Sequence, residues 1–307
     1  IVAYGGKVDI GLAAFGPANG IEIVDASGTS GAVRLLGDWN DNLLDFSATS
    51  FIGKLGIDGG GGRDTIIGSA GDDSIEGGSW GDQTLSGGEG NDVLHGGTGT
   101  DRLSGGGGGD TFRVTGNVGS AFEGYDRYDG GAGKDRIVAY GGKVDIGLAA
   151  FGPANGIEIV DASGTGGAVR LLGDWNDNLL DFSATSFIGR LSIDGGGGRD
   201  TIIGSAAGDA IFGGHGADVL AGRGGNDTIA GGSGTDSFVF GNAGGRDVVT
   251  DFQDGVDHLD FHGTGLGGFK SLKIVATDNG ALISWDANEV LLVGVKAADL
   301  GASDFTF

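Results

Sequence analysis

Gly59-Gly60-Gly61-Gly62-Arg63-Asp64-Thr65-Ile66-Ile67 is one unit of the pattern that decides how this chain of 307 residues folds. The pattern reads Gly-Gly-x-Gly-x-Asp-x-aliphatic-x. It is most regular where Asp200, Asp209, Asp218, Asp227 and Asp236 stand nine residues apart, with Ile202, Ile211, Leu220, Ile229 and Phe238 two places behind them. In the earlier run the apolar positions are Ile66, Ile75, Leu85, Leu94, Leu103 and Phe112, and Asp64, Asp73, Asp92, Asp101 and Asp110 precede five of them. Asp135 repeats the position once more, in Gly130-Gly131-Ala132-Gly133-Lys134-Asp135-Arg136. The step from Ile75 to Leu85 is ten residues, and the extra residue falls in Gly77-Gly78-Ser79-Trp80-Gly81-Asp82-Gln83-Thr84-Leu85. A bulge is expected there, which sets Asp82 apart from the other aspartates. One large apolar side chain at a fixed place in each short unit predicts stacked strands and turns that bury it between neighbours.

Composition without that period would point to disorder, since the chain has 72 Gly and only 2 Pro. The period argues for a solenoid instead. Of 42 acidic residues, 36 are Asp and 6 are Glu. Asp is the acid of turns: its short side chain reaches local backbone, tolerates unusual dihedrals and ligates hard cations. A net charge of −24 argues against nucleic acid and anionic membrane as direct partners. There is no Cys, so disulfides and thiol chemistry are absent. No apolar run approaches twenty residues, and no membrane span is expected.

The phased aspartates point to a metal. Glycine permits positive φ, so the turns can point backbone carbonyls inward beside each carboxylate, such as those of Gly60, Gly62, Gly196 and Gly198. Carboxylates and carbonyls together supply the six to eight oxygens that Ca²⁺ prefers. Magnesium demands a tighter octahedron and gives up water reluctantly, and zinc prefers N and S ligands that these turns lack. The expected ligands are Asp64, Asp73, Asp92, Asp101, Asp110, Asp135, Asp200, Asp209, Asp218, Asp227 and Asp236, binding several Ca²⁺ ions. Each unit offers only one large apolar side chain, and glycine is the costliest residue to order. The fold is therefore expected to depend on the metal.

Recurring in phase, the nonapeptide resembles the RTX, or hemolysin-type, calcium-binding repeat of secreted bacterial proteins. The resemblance implies a parallel β-roll with calcium between its turns. If nine residues make half a turn, Asp200, Asp218 and Asp236 stack on one edge, and Asp209 and Asp227 on the other. Rungs lie about 4.8 Å apart. Two carboxylates about 5 Å apart repel by roughly 3 kcal/mol at an effective dielectric of about 20. A divalent ion between them reverses the sign. The resemblance further implies chains that stay unfolded for export by the type I secretion machinery of a Gram-negative bacterium and fold outside on meeting calcium.

Residues 137–206 repeat residues 1–70 with three differences, Ser30/Gly166, Lys54/Arg190 and Gly56/Ser192. The unit is thus 136 residues long. Since the second copy follows a repeat turn, Ile1 is expected to follow a lost copy of that turn in a longer protein. Segments 1–57 and 137–193 carry short β-type runs and are expected to form coarser rungs of the solenoid, with a small antiparallel sandwich as the alternative. Segments 58–113 and 194–239 are the nonapeptide arrays. Residues 114–136 are expected to be a linker and one lone turn, with Phe122, Tyr125 and Tyr128 shielding an edge. Residues 240–307 have fewer glycines and longer β-type runs. They read as a cap, because terminal solenoid units must block edge pairing. Their close also resembles the uncleaved signal of type I-exported proteins. The expected fold is all-β: calcium-bound parallel β-roll or β-solenoid arrays in two tandem modules, with a β-rich C-terminal cap.

Catalytic patterns occur but lack their structural setting. Gly77-Gly78-Ser79-Trp80-Gly81 matches a nucleophile elbow, which needs a strand before it and a helix after it. Gly263-Thr264-Gly265-Leu266-Gly267-Gly268 matches a dinucleotide fingerprint with no βαβ unit in reach. His95 and His215 occupy variable repeat positions and are expected to be solvated. His258 and His262 flank Asp260 on a strand and read as a polar face. Asp247, Asp251, Asp254 and Asp257 are expected to extend the acidic edge. No enzyme is expected in these residues. The first functional expectation is a non-catalytic extracellular scaffold of adhesin, surface-layer or matrix type, with a cell-surface polysaccharide or further copies of the chain as partners. The second is the export and folding region of a secreted enzyme.

Overall fold

The computed structural model describes residues 1–115 and 123–307. Phe122 lies outside the described residues. The chain forms two compact units, Ile1–Gly147 with Ala154–Gly167, and Leu148–Pro153 with Ala168–Phe307. Among the described residues there is no α-helix, only strands and five short 3-10 turns. Among the described residues no helix is long and apolar enough to cross a membrane.

In the first unit two parallel sheets face each other across one layer of side chains. One contains Leu43–Asp45, Thr65–Ile67, Thr84–Glu89, Arg102–Gly108 and Tyr125–Gly133, each in register with the next. The other contains Val8–Gly11, Val33–Leu36, Leu55–Asp58, Ser74–Glu76, Val93–His95, Thr111–Thr115, Asp135–Tyr140 and Ile157–Asp161. Every pairing is parallel, so the short-strand segment of this unit consists of coarser rungs. Val33 pairs with Leu55 there, whereas Leu85 pairs with Leu103 in the array.

In the nonapeptide arrays the three-residue strands bury their central residue and leave its neighbours half-buried or exposed. Ile66, Ile75, Leu85, Leu94, Leu103 and Phe112 form a column of buried side chains. In each three-residue array strand one side chain points inward, as the two-residue period of a strand dictates.

The second unit repeats the plan. Val169–Leu172, Leu191–Asp194, Ala210–His215, Thr228–Ser233 and Arg246–Val249 form one parallel sheet. Leu179–Asp181, Thr201–Ile203, Val219–Ala221, Ser237–Val239, His258–Asp260 and Phe305–Thr306 form the other. Its column of Ile202, Ile211, Leu220, Ile229 and Phe238 is buried.

The unit closes with an antiparallel meander of Lys273–Thr277, Gly280–Trp285 and Asn288–Val293, the last running parallel to Arg246–Val249. Trp285 packs edge-on to Phe261 at 4.9 Å, and Phe240 stacks on Phe261 at 5.2 Å. The outer strand Lys273–Thr277 is mostly exposed. An antiparallel meander ends the parallel stack and carries its edge residues in solvent, as a solenoid cap must.

Two segments depart from expectation. Tyr125–Gly133 is a full rung rather than linker: Leu103 pairs with Tyr128 and Gly106 with Gly131. Tyr128 is a core residue, 2% exposed, set edge-on against Phe112 at 5.5 Å, and does not shield an edge. The turn containing Asp135 is not isolated either, because Asp135–Tyr140 continues the sheet beside Thr111–Thr115. Although the sequence duplication begins at Ile137, residues 137–147 pack in the first unit for this reason.

Candidate metal centres on the turn edges

Each repeat aspartate sits immediately before a short strand, except Asp135, which opens its strand. In nine of these aspartates, all but Asp73 and Asp209, Oδ1 accepts a hydrogen bond from the backbone N–H of the equivalent residue one rung earlier. In the second unit one edge is a ladder: Asn178 N–H donates to Asp200, Asp200 to Asp218, Asp218 to Asp236 and Asp236 to Asp257, at 2.8 to 3.0 Å. On the opposite edge Asp209 N–H donates to Asp227 and Asp227 to Asp247. The expected alternation between edges holds.

The first unit has the same ladders. Asp73 donates to Asp92, Asp92 to Asp110, Asp110 to Asp135, and Asp135 to Glu158 Oε2, at 2.7 to 2.8 Å. On its other edge Asn42 donates to Asp64, Asp64 to Gln83 Oε1, Gln83 to Asp101 and Asp101 to Asp126. These bonds satisfy backbone donors that a buried turn would otherwise orphan.

One oxygen of each carboxylate is therefore structural, and the second decides the chemistry. Oδ2 of Asp64, Asp92, Asp101, Asp110, Asp135, Asp200, Asp218, Asp227 and Asp236 is buried with no hydrogen-bond partner among the described residues. An unpaired buried carboxylate oxygen is expensive unless a proton or cation meets it. These oxygens also converge with backbone carbonyls. A methyl group added at Gly195 would lie 2.5 Å from both Asp200 Oδ2 and Gly213 O, and one at Gly213 would lie 2.5 Å from Asp218 Oδ2 and Gly231 O. Paired carboxylate and carbonyl oxygens around a small space are the donor set a hard cation takes. The residues present fit calcium.

Burial drives the carboxyl pKa values upward, against the lowering effect of the ladder hydrogen bonds. Asp64, Asp101 and Asp236 are pushed up to about 6. Asp92, Asp200 and Asp227 reach about 7. Neighbouring charges add to burial, as Asp218 does at Asp200 and Asp110 at Asp92.

Two of the expected ligands differ from the rest. Asp73 Oδ2 accepts from Ser69 N–H at 2.6 Å and Oγ at 3.0 Å, and Asp209 Oδ2 accepts from Ser205 N–H at 2.7 Å and Oγ at 3.1 Å. Asp82 lies outside the ladder, caps Thr100 N–H at 3.0 Å and faces Arg63 at 3.6 Å.

Of the four nominated carbonyls, Gly60 O accepts from Ser79 N–H, Gly62 O from Gln83 Nε2, and Gly196 O from His215 N–H. Gly198 O closes against Gly216, whose φ of 126° suits glycine. Asp257 does extend an edge, with Oδ2 taken by Gln253 N–H at 2.8 Å, and Asp247 extends the other. Asp251 instead caps Gly231 and Gly232 N–H.

Sequence reasoning missed Asp126, Gln83, Asn42, Asn178 and Glu158 as ladder members. Gly124-Tyr125-Asp126-Arg127-Tyr128 carries the Gly-x-Asp-x-apolar signal with an aromatic residue in the aliphatic place.

The histidines form no centre of their own. His95 is not solvated: its Nδ1 meets Glu76 Oε2 at 2.6 Å and its Nε2 meets Glu123 Oε1 at 3.2 Å. Burial acts to lower its pKa, but the two carboxylates outweigh it and hold the ring up to about 9. Register places it beside Glu76 on the sheet face, which sequence position alone did not reveal. His215 and His258 are exposed, and His262 pairs with Asp260 at 2.7 Å. Among the described residues no group of three or more His, Cys, Asp or Glu side chains is arranged around a metal position, in keeping with sites built from one carboxylate per turn plus carbonyls. The Gly77–Gly81 segment is a turn followed by a strand, not by a helix.

Fold and edges together define a repeat solenoid whose turns carry buried carboxylate oxygens with no hydrogen-bond partner among the described residues. Matches to the RTX calcium-binding nonapeptide repeat (4 copies) cover residues 57–79, 78–112, 121–143, 192–220, 203–238 and 212–248. Over these segments the chain belongs to the RTX repeat family, which implies Ca²⁺ as its ion.

Among curated proteins none matches. Similar solved structures include the extracellular lipase LipA of Serratia marcescens, at 23% identity over 80% of this chain and 40% of the lipase, with a TM-score of 0.29. A subunit of the Azotobacter vinelandii mannuronan C5-epimerase shares 28% identity over 36% of this chain and 78% of that one, with a TM-score of 0.18. The chain spans 40% of the length of the lipase it matches.

Proposed function

We propose that residues 1–307 are a non-catalytic, calcium-binding repeat region of a secreted or cell-surface bacterial protein of adhesin, surface-layer or matrix type, which folds outside the cell on binding several Ca²⁺ ions. The observation that carries this reading is the set of nine buried carboxylate oxygens with no hydrogen-bond partner among the described residues. Protons or cations must meet them, and the RTX repeat makes calcium the cation. The bound ion supplies positive charge between stacked carboxylates. The chain's own part is to aim Oδ2 and the turn carbonyls into the same space while Oδ1 ties each rung to the one before.

Duplication of residues 1–70 as 137–206 with three changes supports a scaffold, since tandem copying multiplies a surface without adding chemistry. A cell-surface polysaccharide or further copies of the chain would be the ligands of that surface. Limited trypsin digestion of the full chain tests the reading: resistance in millimolar calcium and rapid cleavage in chelator are expected, and equal resistance in both removes it.

The aromatic cap of residues 240–307 favours a second reading, the export and folding region of a secreted enzyme, because its close resembles a type I export signal. Sequence upstream of Ile1 separates the two: a catalytic domain selects the enzyme, and further 136-residue units select the scaffold.

A further inference from the structure

On corresponding edges of the two units, four ladder positions follow Asn42 and four follow Asn178, and the partner of each one's second side-chain oxygen or nitrogen can be compared directly. Asp126 and Asp257, at the far ends, have a donor on Oδ2, and inside the edges one position is not an aspartate. Between Asp64 and Asp101 the first unit places Gln83, fully buried, where the second unit has Asp218.

Gln83 reproduces the structural half of the aspartate. Its Oε1 accepts from Asp64 N–H at 2.7 Å, and its own N–H donates to Asp101 Oδ1 at 2.7 Å. The other half is inverted. In place of an unpartnered anionic oxygen it presents an amide Nε2, which donates to Gly62 O at 3.0 Å and Trp80 O at 2.8 Å. Those two carbonyls come from adjacent rungs, and an amide nitrogen with two protons satisfies both.

The extra residue in Gly77-Gly78-Ser79-Trp80-Gly81-Asp82-Gln83 makes this possible. It lengthens the turn by one residue and brings the Trp80 carbonyl to the longer glutamine side chain.

We infer that Gln83 is a built-in substitute for one calcium ion: its amide group bridges the carbonyls of Gly62 and Trp80 and leaves that position in the first unit metal-independent. The inference rests on the calcium-binding reading above. A similar device operates where Oδ2 already has a donor. Tyr128 OH donates to Asp126 Oδ2 at 3.1 Å, and Ser69 and Ser205 serve Asp73 and Asp209. Gln83 differs in lying inside a ladder rather than near its end, so it interrupts a run of ion positions that continues unbroken through Asp200, Asp218 and Asp236.

Crystals of the full chain grown with calcium, measured for the anomalous signal of the metal, test this without any variant. Ions beside the free Oδ2 atoms and none against Gly62 O and Trp80 O are expected. An ion bound to those two carbonyls, with the Gln83 amide displaced, overturns the inference while leaving the calcium reading intact. Absence of ions from every edge overturns both.

Equilibrium dialysis of Gln83→Glu gives a second arm. This variant keeps the side-chain length but turns the donor into an anionic acceptor, so one calcium more per chain than wild type is expected. Equal counts in the two proteins, with calcium bound by each, would make Gln83 a mere spacer.

Discussion

The edge that runs through Asp200, Asp218 and Asp236 and the edge that runs through Asp64, Gln83 and Asp101 start from nearly the same sequence and end differently. Up to Ala70 and Ala206 the two copies differ at only three positions. Beyond them the second unit keeps a nine-residue period, while the first inserts one residue and replaces an aspartate by glutamine. The backbone ladder survives the change, with bonds of 2.7 to 3.0 Å in both. What changes is the charge inside the edge. The pair teaches that the aspartate of this repeat does two separable jobs. Oδ1 is a strut between rungs that a neutral amide can replace, and Oδ2 is a buried anion that requires a counter-charge.

Acidification in chelator should show the difference most strongly. The folded pKa values of Asp200, Asp227 and Asp92 lie at about 7, and those of Asp64, Asp101 and Asp236 at about 6, above the ordinary value of 3.8. A carboxyl whose pKa is raised on folding binds its proton more tightly in the folded state. Its contribution to stability is fully present below about 4 and is lost as pH rises through about 6 to 7. Protons should therefore replace calcium in part: the calcium-free chain gains β signal between pH 8 and pH 5. Hydrogen exchange resolved by segment should show the larger gain along the Asp200–Asp236 edge, because Gln83 does not titrate.

Removing the strut comes next. Asp218→Ala leaves Asp200 N–H without its acceptor and deletes one anionic oxygen. A loss of about 1–3 kcal/mol in urea unfolding at saturating calcium is expected for the buried N–H, together with weaker calcium binding. Asp218→Asn keeps an acceptor and removes the charge, so it should restore most of the stability without restoring the calcium count.

Backbone strain ranks third. Gly216 has φ 126°, and a Cβ there would strike the carbonyl of Gly198 in the rung before. Gly216→Ala should cost on the order of 1–3 kcal/mol in the same assay.

Asp82→Asn should do least. Asp82 lies at the surface, 3.6 Å from Arg63, and exposed ion pairs contribute about 0–1 kcal/mol. Its calcium count should match that of the wild type. A lower count would place Asp82 among the ligands and weaken the contrast drawn at Gln83.

The column of apolar residues and the alternation of aspartates between two edges were legible because period is a property of sequence. Ile202 to Phe238 and Asp200 to Asp236 needed only counting. Ladder members that break the count were not. Asp126 follows an insertion that moves it 25 residues from Asp101 instead of 18, and its rung carries Tyr128 where the pattern has an aliphatic residue. Gln83 was hidden by one added residue, which placed the familiar aspartate, Asp82, in the wrong register. Asn42, Asn178 and Glu158 lie in the longer rungs, where no short motif marks them. Pairing between rungs identifies all five. His95 failed for a related reason: its partners Glu76 and Glu123 are 19 and 28 residues away and meet it only through the stack.

Far-UV circular dichroism of the full chain at pH 8, titrated with calcium from a chelated start and compared with magnesium, tests the central claim most directly. A largely disordered spectrum that converts cooperatively to a β spectrum at calcium concentrations on the order of 10⁻⁴–10⁻³ M, and not with magnesium, is predicted. A β spectrum already complete in chelator would contradict it.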